Sequence, residues 1–175
     1  MKKKINKKKG ILFWVTGLSG SGKTVISEKI WKDIIKNYGP TLLVSGDDLR
    51  KIFNFDKYTA HERKVLGIYY CRYAKFITDQ NINLIFAVVG MRDSTRNWNR
   101  KNIKNYIEVY IKSNIKTIKM VNKKKIYHEA NSGDIVGVNI KSELPTRPHI
   151  TIKNDFKKSI DILSKELVKR IKDII

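Results

Sequence analysis

The chain has 175 residues, with 37 Lys and Arg against 16 Asp and Glu, a formal net charge of +21 and 41% hydrophobic residues. That length accommodates one domain with a full two- or three-layer core and excludes two ordinary ones. The single cysteine, Cys71, excludes an internal disulfide, and no stretch approaches the roughly 18 apolar residues of a spanning helix, so the expected setting is a reducing cytoplasm with no membrane partner.

The opening MKKKINKKKG is basic. The apolar stretch behind it stops at Val15, too early for a signal peptide and without a small-residue cleavage site, so residues 1–10 read as a basic N-terminal extension. Ile11 to Val15 is a strand that runs into GLSGSGKT, Gly17 to Thr24. A glycine-rich loop between strand and helix lets successive backbone N–H groups curl round an anion, and the helix N-terminus adds a fixed positive end. This spacing predicts an ATP phosphate site built by Gly17, Ser19, Gly20, Ser21, Gly22, Lys23 and Thr24. Lys23 reaches the β- and γ-phosphates, and the Thr24 hydroxyl takes a place on Mg²⁺. A flexible Gly/Ser turn would leave Lys23 opposing the helix dipole with no anion to justify it.

A helix follows from about Lys23 to Asn37, with Val25, Ile26, Ile30, Ile34 and Ile35 near helical period, and Tyr38-Gly39-Pro40 ends it. Thr41 to Val44 is the second strand. It runs into SGDDLR, which puts Asp47, Asp48 and Arg50 at the carboxyl edge of the sheet, beside the place where the first strand delivers the phosphate loop. A carboxylate there can take a proton from an attacking hydroxyl or position Mg²⁺ water. The competing reading makes Asp47 and Asp48 an N-cap pair opening a short helix.

A helix over about Ala60 to Gln80 carries Cys71 between Tyr70 and Tyr73, where a buried structural thiol is expected. Asn83 to Val89 is a continuous apolar strand, hence buried on both faces. Arg92, Arg96 and Arg100 then recur at four-residue spacing on one helix face, with Trp98 on another. Arg96 and Arg100 either approach the site or form a solvated face. Tyr106 to Lys112 is the fourth strand, followed by a helix capped by Ser113 or Asn114. Residues from about 121 to 148 lack periodicity and read as a lid and acceptor loop. His149 to Ile152 is a short strand, and a last helix puts Phe156, Ile160, Leu163, Leu167, Ile171 and Ile174 on one face.

Strand-length apolar runs alternating with helical patterns specify an α/β chain: a mainly parallel sheet with helices on both faces and a lid, in one P-loop domain over residues 1–175. The ligand belongs at the carboxyl ends of the strands. Three histidines and one cysteine without ligand spacing speak against structural zinc. The +21 charge motivates a nucleic-acid-binding P-loop protein as the alternative of another class. However, the lysines are scattered among Ile and Asn as in a coding bias, and nucleotide substrates are themselves polyanions.

The phosphate loop and GDDLR together resemble the adenylylsulfate (APS) kinase family, three-layer P-loop enzymes that phosphorylate the ribose 3′-hydroxyl of APS with MgATP. The resemblance runs over nearly the whole chain. It takes in His61-Glu62-Arg63, the Val88 to Arg92 segment in place of ISPYR, KKIYHEANSGDI from Lys124 to Ile135, and ELPTRP from Glu143 to Pro148. By that resemblance Asp47 is the catalytic carboxylate alongside Lys23, Arg50 and Arg63 hold the acceptor's phosphate groups, Arg92 lies near them, and Lys124 contacts the donor phosphates. A homodimer is compatible with it.

The departures cluster at the acceptor. The family's two stacking phenylalanines become Tyr58 and a valine, Val136 or Val138, and its ENIRR becomes Val65-Leu66-Gly67-Ile68-Tyr69. The lid's Arg-Asp becomes Val121-Asn122, and His128 replaces a lysine. An aromatic platform contributes about 1–3 kcal/mol per stacked base, so losing half of it weakens recognition of adenine. The pattern resembles the family's cytidine diphosphoramidate kinase branch of capsule biosynthesis, with adenylylsulfate kinase itself, making PAPS from APS, as the alternative.

Overall fold

Five parallel strands in the order β2-β3-β1-β4-β5 make the sheet, and helices cover both of its faces. The computed structural model describes residues 3–55, 60–121 and 142–175. The strands are β1 (Ile11–Thr16), β2 (Thr41–Ser45), β3 (Asn83–Val88), β4 (Asn105–Lys112) and β5 (Ile150–Lys153). The helices are α1 (Lys23–Tyr38), α2 (Gly46–Ile52), α3 (Ala60–Asp79), α4 (Asp93–Asn102), α5 (Ile115–Val121) and α6 (Ile160–Ile174).

Side chains alternate between the faces of a strand, so β1 and β3, buried at every position, must be covered on both sides. Phe13, Val15, Ile85, Ile107 and Val109 meet Ile26, Ile30 and Ile34 of α1 and Leu163, Leu167 and Ile171 of α6. Leu12, Trp14, Leu84, Phe86 and Tyr106 point the other way, onto Cys71, Ala74 and Ile77 of α3. Val25 and Ile35, counted on the apolar face of α1 by period, are exposed. Burial of the Ile26, Ile30 and Ile34 side chains stabilises the α1 layer by about 1.5–3 kcal/mol each.

Two buried asparagines fasten the amino ends of the strands. Asn83 Oδ1 accepts the Ile11 N–H at 2.8 Å while its amide donates to the Tyr38 carbonyl at 2.9 Å. Asn105 accepts from the Asn6 N–H and donates to the Asn6 and Lys9 carbonyls, so the basic N-terminal stretch from residue 3 is laid against the sheet.

The last helix starts later than its apolar period suggests. Ser159 is its N-cap, accepting the Ile162 N–H. Phe156 lies before the helix in a left-handed conformation, φ 65°, and packs with Leu18, Met91, Tyr110 and Ile118 instead of along α6. An Asx turn causes this: Asn154 Oδ1 accepts the Phe156 N–H at 3.0 Å. At α5 Asn114 is the cap, its Oδ1 accepting the Lys116 N–H.

The helices that follow the neighbouring strands β1 and β3 leave to opposite faces, α1 to one core and α4 to the other. Loops that diverge in this way open a crevice at the carboxyl ends of the strands.

Candidate active site

The phosphate loop bridges β1 and α1 in a strained shape that its glycines permit. Gly20 and Gly22 have φ of 73° and 91°, a region where a side chain is costly. A Cβ on Gly22 would also lie 2.9 Å from Asn154 Nδ2. That amide donates to the Ser21 carbonyl at 3.0 Å, so the turn after β5 holds the loop from behind. Asn154 carried no sequence signal. Lys23 is buried with its Nζ donating to the Leu18 carbonyl at 2.8 Å, across the loop it closes. Thr24 is exposed on the first turn of α1, and Ser21 Oγ is buried with no partner among the described residues.

These groups fit a nucleotide triphosphate with its cation. Curled backbone donors and a lysine suit the phosphates, and an exposed threonine hydroxyl suits Mg²⁺, which takes few protein ligands and keeps phosphate and water for the rest. No group of three or more metal-ligating side chains occurs among the described residues, so the ion would be held mainly through the nucleotide.

At the end of β2 the chain turns directly into α2. Ser45 is the N-cap, and the two aspartates divide. Asp48 completes a capping box, its carboxylate accepting the Ser45 N–H at 2.8 Å while Ser45 Oγ accepts the Asp48 N–H at 3.1 Å. Asp47 points outward, its side chain 64% exposed, and pairs with Arg50. β3 intervenes between β2 and β1, so Asp47 is not directly beside the phosphate loop. The two loops stand at the same edge, about 10 Å apart across two strand spacings.

At the ends of β2 and β3 is a pocket walled by Arg50, Arg63 and Arg92, the three arginines expected to face the acceptor; neither Asp47 nor Gly17 to Thr24 lines it. The arginines come from α2, α3 and the N-cap position of α4. Leu66, Gly67 and Tyr70 of α3, with Trp14, Val88 and Met91, supply the apolar remainder. Gly67 brings α3 against α4, because a Cβ there would stand 2.9 Å from Thr95 Cγ2. Tyr58, Lys124, His128, Val136 and Val138 lie outside the described residues.

Neither Arg96 nor Arg100 lines the pocket, and of the two only Arg96 is buried. Arg96 is 1% exposed. It pairs with Asp93 and donates to the Gly90 carbonyl at 3.0 Å and the Glu143 carbonyl at 2.7 Å. The Glu143 carboxylate in turn caps the Asp93 N–H, and the Glu143 N–H reaches the Met91 carbonyl. The pocket wall from Gly90 to Arg92 is thus clamped from behind. Glu108 of β4, fully buried, lies 3.7 Å from Arg96 Nε and accepts from Arg100 at 2.6 Å and the Tyr106 hydroxyl at 2.9 Å. Burial pushes its carboxyl above the usual range, outweighing the two guanidinium groups and the Tyr106 hydrogen bond.

His149 Nδ1 accepts the Glu108 N–H at 2.8 Å. Desolvation, with Lys3 and Arg100 nearby, brings its pKa down to about 4. Cys71 is buried in the core behind the pocket, and desolvation lifts its thiol to about 12, which makes it a structural residue. Among the described residues no helix is long and apolar enough to cross a membrane.

Residues 9–153 match the family model described as adenylylsulphate kinase. A cytidine diphosphoramidate kinase of Campylobacter jejuni is 28% identical over 162 residues, covering 89% of this chain and 95% of that protein. An adenylyl-sulfate kinase of Clostridium acetobutylicum is 32% identical over 157 residues, covering 87% of this chain and 78% of that one. Among solved structures, the APS kinase of Mycobacterium tuberculosis in complex with AMPPNP and APS superposes with a TM-score of 0.81 at 21% identity, over 94% of this chain and 98% of that one, and shares its fold. With a phosphate loop, a parallel sheet and this match across most of its length, the chain belongs to the adenylylsulphate kinase family of ATP-dependent phosphotransferases.

Proposed function

We propose that this kinase transfers the γ-phosphoryl group of ATP to the ribose 3′-hydroxyl of a nucleotide whose 5′ end carries a diphosphate-like group, with cytidine diphosphoramidate as the acceptor. The observation that carries the reading is the pocket in which Arg50, Arg63 and Arg92 surround an apolar floor at the same sheet edge as the phosphate loop. Three guanidinium groups suit a doubly charged 5′ group. Leu66, which lines the pocket, replaces the asparagine of the family's ENIRR by the resemblance, which favours an acceptor other than APS. The relative from Campylobacter jejuni, named for the cytidine compound, supports the same choice.

In this mechanism Asp47, exposed beside the pocket, accepts the proton of the 3′-hydroxyl as its oxygen bonds to the γ-phosphorus. The bond from that phosphorus to the bridging oxygen breaks, and ADP leaves. Lys23 and the loop N–H groups hold the donor phosphates in line, and Thr24 would hold the Mg²⁺ that neutralises their charge. Clamping of the pocket wall by Arg96 keeps the acceptor oriented, which supplies much of what a phosphoryl transfer requires from a protein.

The test is acceptor-dependent ADP release with MgATP, comparing kcat/KM for cytidine diphosphoramidate and APS. A ratio of ten or more for the cytidine compound, about 1.4 kcal/mol of transition-state discrimination, supports the proposal. A ratio favouring APS assigns the chain to PAPS synthesis, and no acceptor-dependent ADP with either removes the kinase reading of this pocket.

A further inference from the structure

We propose that the indole N–H of Trp14 is a ligand-binding donor on the floor of this pocket, directed at an oxygen of the acceptor's terminal anionic group. The inference rests on the acceptor reading above and adds a residue that has been assigned no role. Trp14 is 1% exposed on β1, its ring edge-on to Phe86 at 5.3 Å, and it lines the pocket. Its Nε1 is buried with no hydrogen-bond partner among the described residues. A buried donor normally finds an acceptor, and tryptophans whose N–H is enclosed usually reach one. The contrast within the chain is Trp31, whose Nε1 donates to the Thr41 carbonyl at 2.8 Å.

Nε1 faces the pocket wall where the chain withholds a side chain. Gly90, itself a lining residue, has φ of 52°, and a Cβ there would stand 2.9 Å from Nε1. The charged side chains lining this cavity are all donors, the guanidinium groups of Arg50, Arg63 and Arg92. An indole N–H only donates. A lining of this kind is complementary to an oxygen-rich anion with several lone pairs, and the apolar Leu66, Val88 and Met91 around it lower the local dielectric and strengthen each N–H···O contact. The terminal group of a diphosphate-like 5′ end supplies such oxygens. It must turn an oxygen, and not an N–H, toward Trp14.

Inorganic pyrophosphate is the probe, titrated into the ¹⁵N-labelled full chain with Mg·ADP already saturating the phosphate loop. Trp31→Phe and Trp98→Phe identify the Trp14 indole signal by elimination, so the assignment does not depend on the folding of a Trp14 variant. The expected result is a saturable downfield shift of the Trp14 N–H with the Trp31 signal unmoved, and a Kd about tenfold weaker in Trp14→Phe, the loss of one hydrogen bond to a charged oxygen. Saturable pyrophosphate binding that leaves the Trp14 signal in place overturns the inference, as does the absence of pyrophosphate binding to the ADP-loaded chain. Kinase turnover with an unmoved Trp14 signal removes this inference alone. A shifted signal without turnover on either nucleotide supports it and removes only the proposed reaction.

Discussion

Replacing Arg96 by leucine tests how the pocket wall is held. The guanidinium is 1% exposed and joins Asp93, the carbonyls of Gly90 and Glu143, and the fully buried Glu108. Leucine leaves the Glu108 carboxylate with Arg100 as its remaining cation and strips two carbonyls of a donor. Breaking a buried pair from one side costs about 3–5 kcal/mol, and for a chain of this size each kcal/mol moves Tm by about 2–4 °C. The expected fall is therefore about 6–20 °C by differential scanning fluorimetry. The pH dependence has a definite sign. The Glu108 carboxyl is already raised by burial, with Arg96 among the groups opposing the rise, and losing Arg96 raises it further. A raised carboxyl contributes stability that is present below its unfolded value of about 4.3 and is lost as pH rises through the folded value. The deficit of the variant should widen as pH rises above the unfolded value of about 4.3. A Tm loss below about 2 °C, or a deficit that shrinks with rising pH, would refute the reasoning.

Asn154→Ala removes the donor that holds the Ser21 carbonyl; KM for ATP should rise about three- to tenfold, on the scale of one hydrogen bond, while acceptor KM stays put, and equal effects on both would contradict the latch. Lys23→Ala should abolish turnover, and Asp47→Asn should depress kcat by about 10²–10⁴ with little change in nucleotide binding. Normal kcat in the asparagine variant would remove Asp47 as the proton acceptor, with Asp48 a poor substitute because its carboxylate is committed to the Ser45 N–H. His149, depressed to about 4 from 6.5, is neutral in the fold at a pH where the unfolded chain binds a proton. Its contribution is complete above about pH 6.5 and is lost as pH falls toward 4. His149→Asn should flatten that part of the Tm profile, and an unchanged slope would count against it.

The strands, α1 and the phosphate loop could be read from the chain because each is specified locally. A continuous apolar run, a glycine stop at Gly39 and the G-x-x-x-x-G-K-[ST] spacing depend on neighbours only a few residues apart. Arg50, Arg63 and Arg92 were identifiable as individual arginines through the family's motifs, and the fold brings them to one pocket. Asp47 and Asp48 look alike in sequence. Only the turn from β2 into α2 decides that one caps and the other faces outward, since the cap depends on backbone direction at Ser45.

Sequence by itself determined the nucleotide loop and the family, because glycine and lysine at fixed spacing act through the backbone of their own segment. Tertiary structure decided everything that depends on distant partners. Four-residue spacing placed Arg96 and Arg100 on one face of a helix, but Glu108 and Glu143, far along the chain, drew Arg96 into an internal clamp. Likewise Trp14 reads as one more apolar strand residue. It stands out only when the packing of α3 and the loop at Gly90 leaves its N–H buried at a pocket with no acceptor among the described residues.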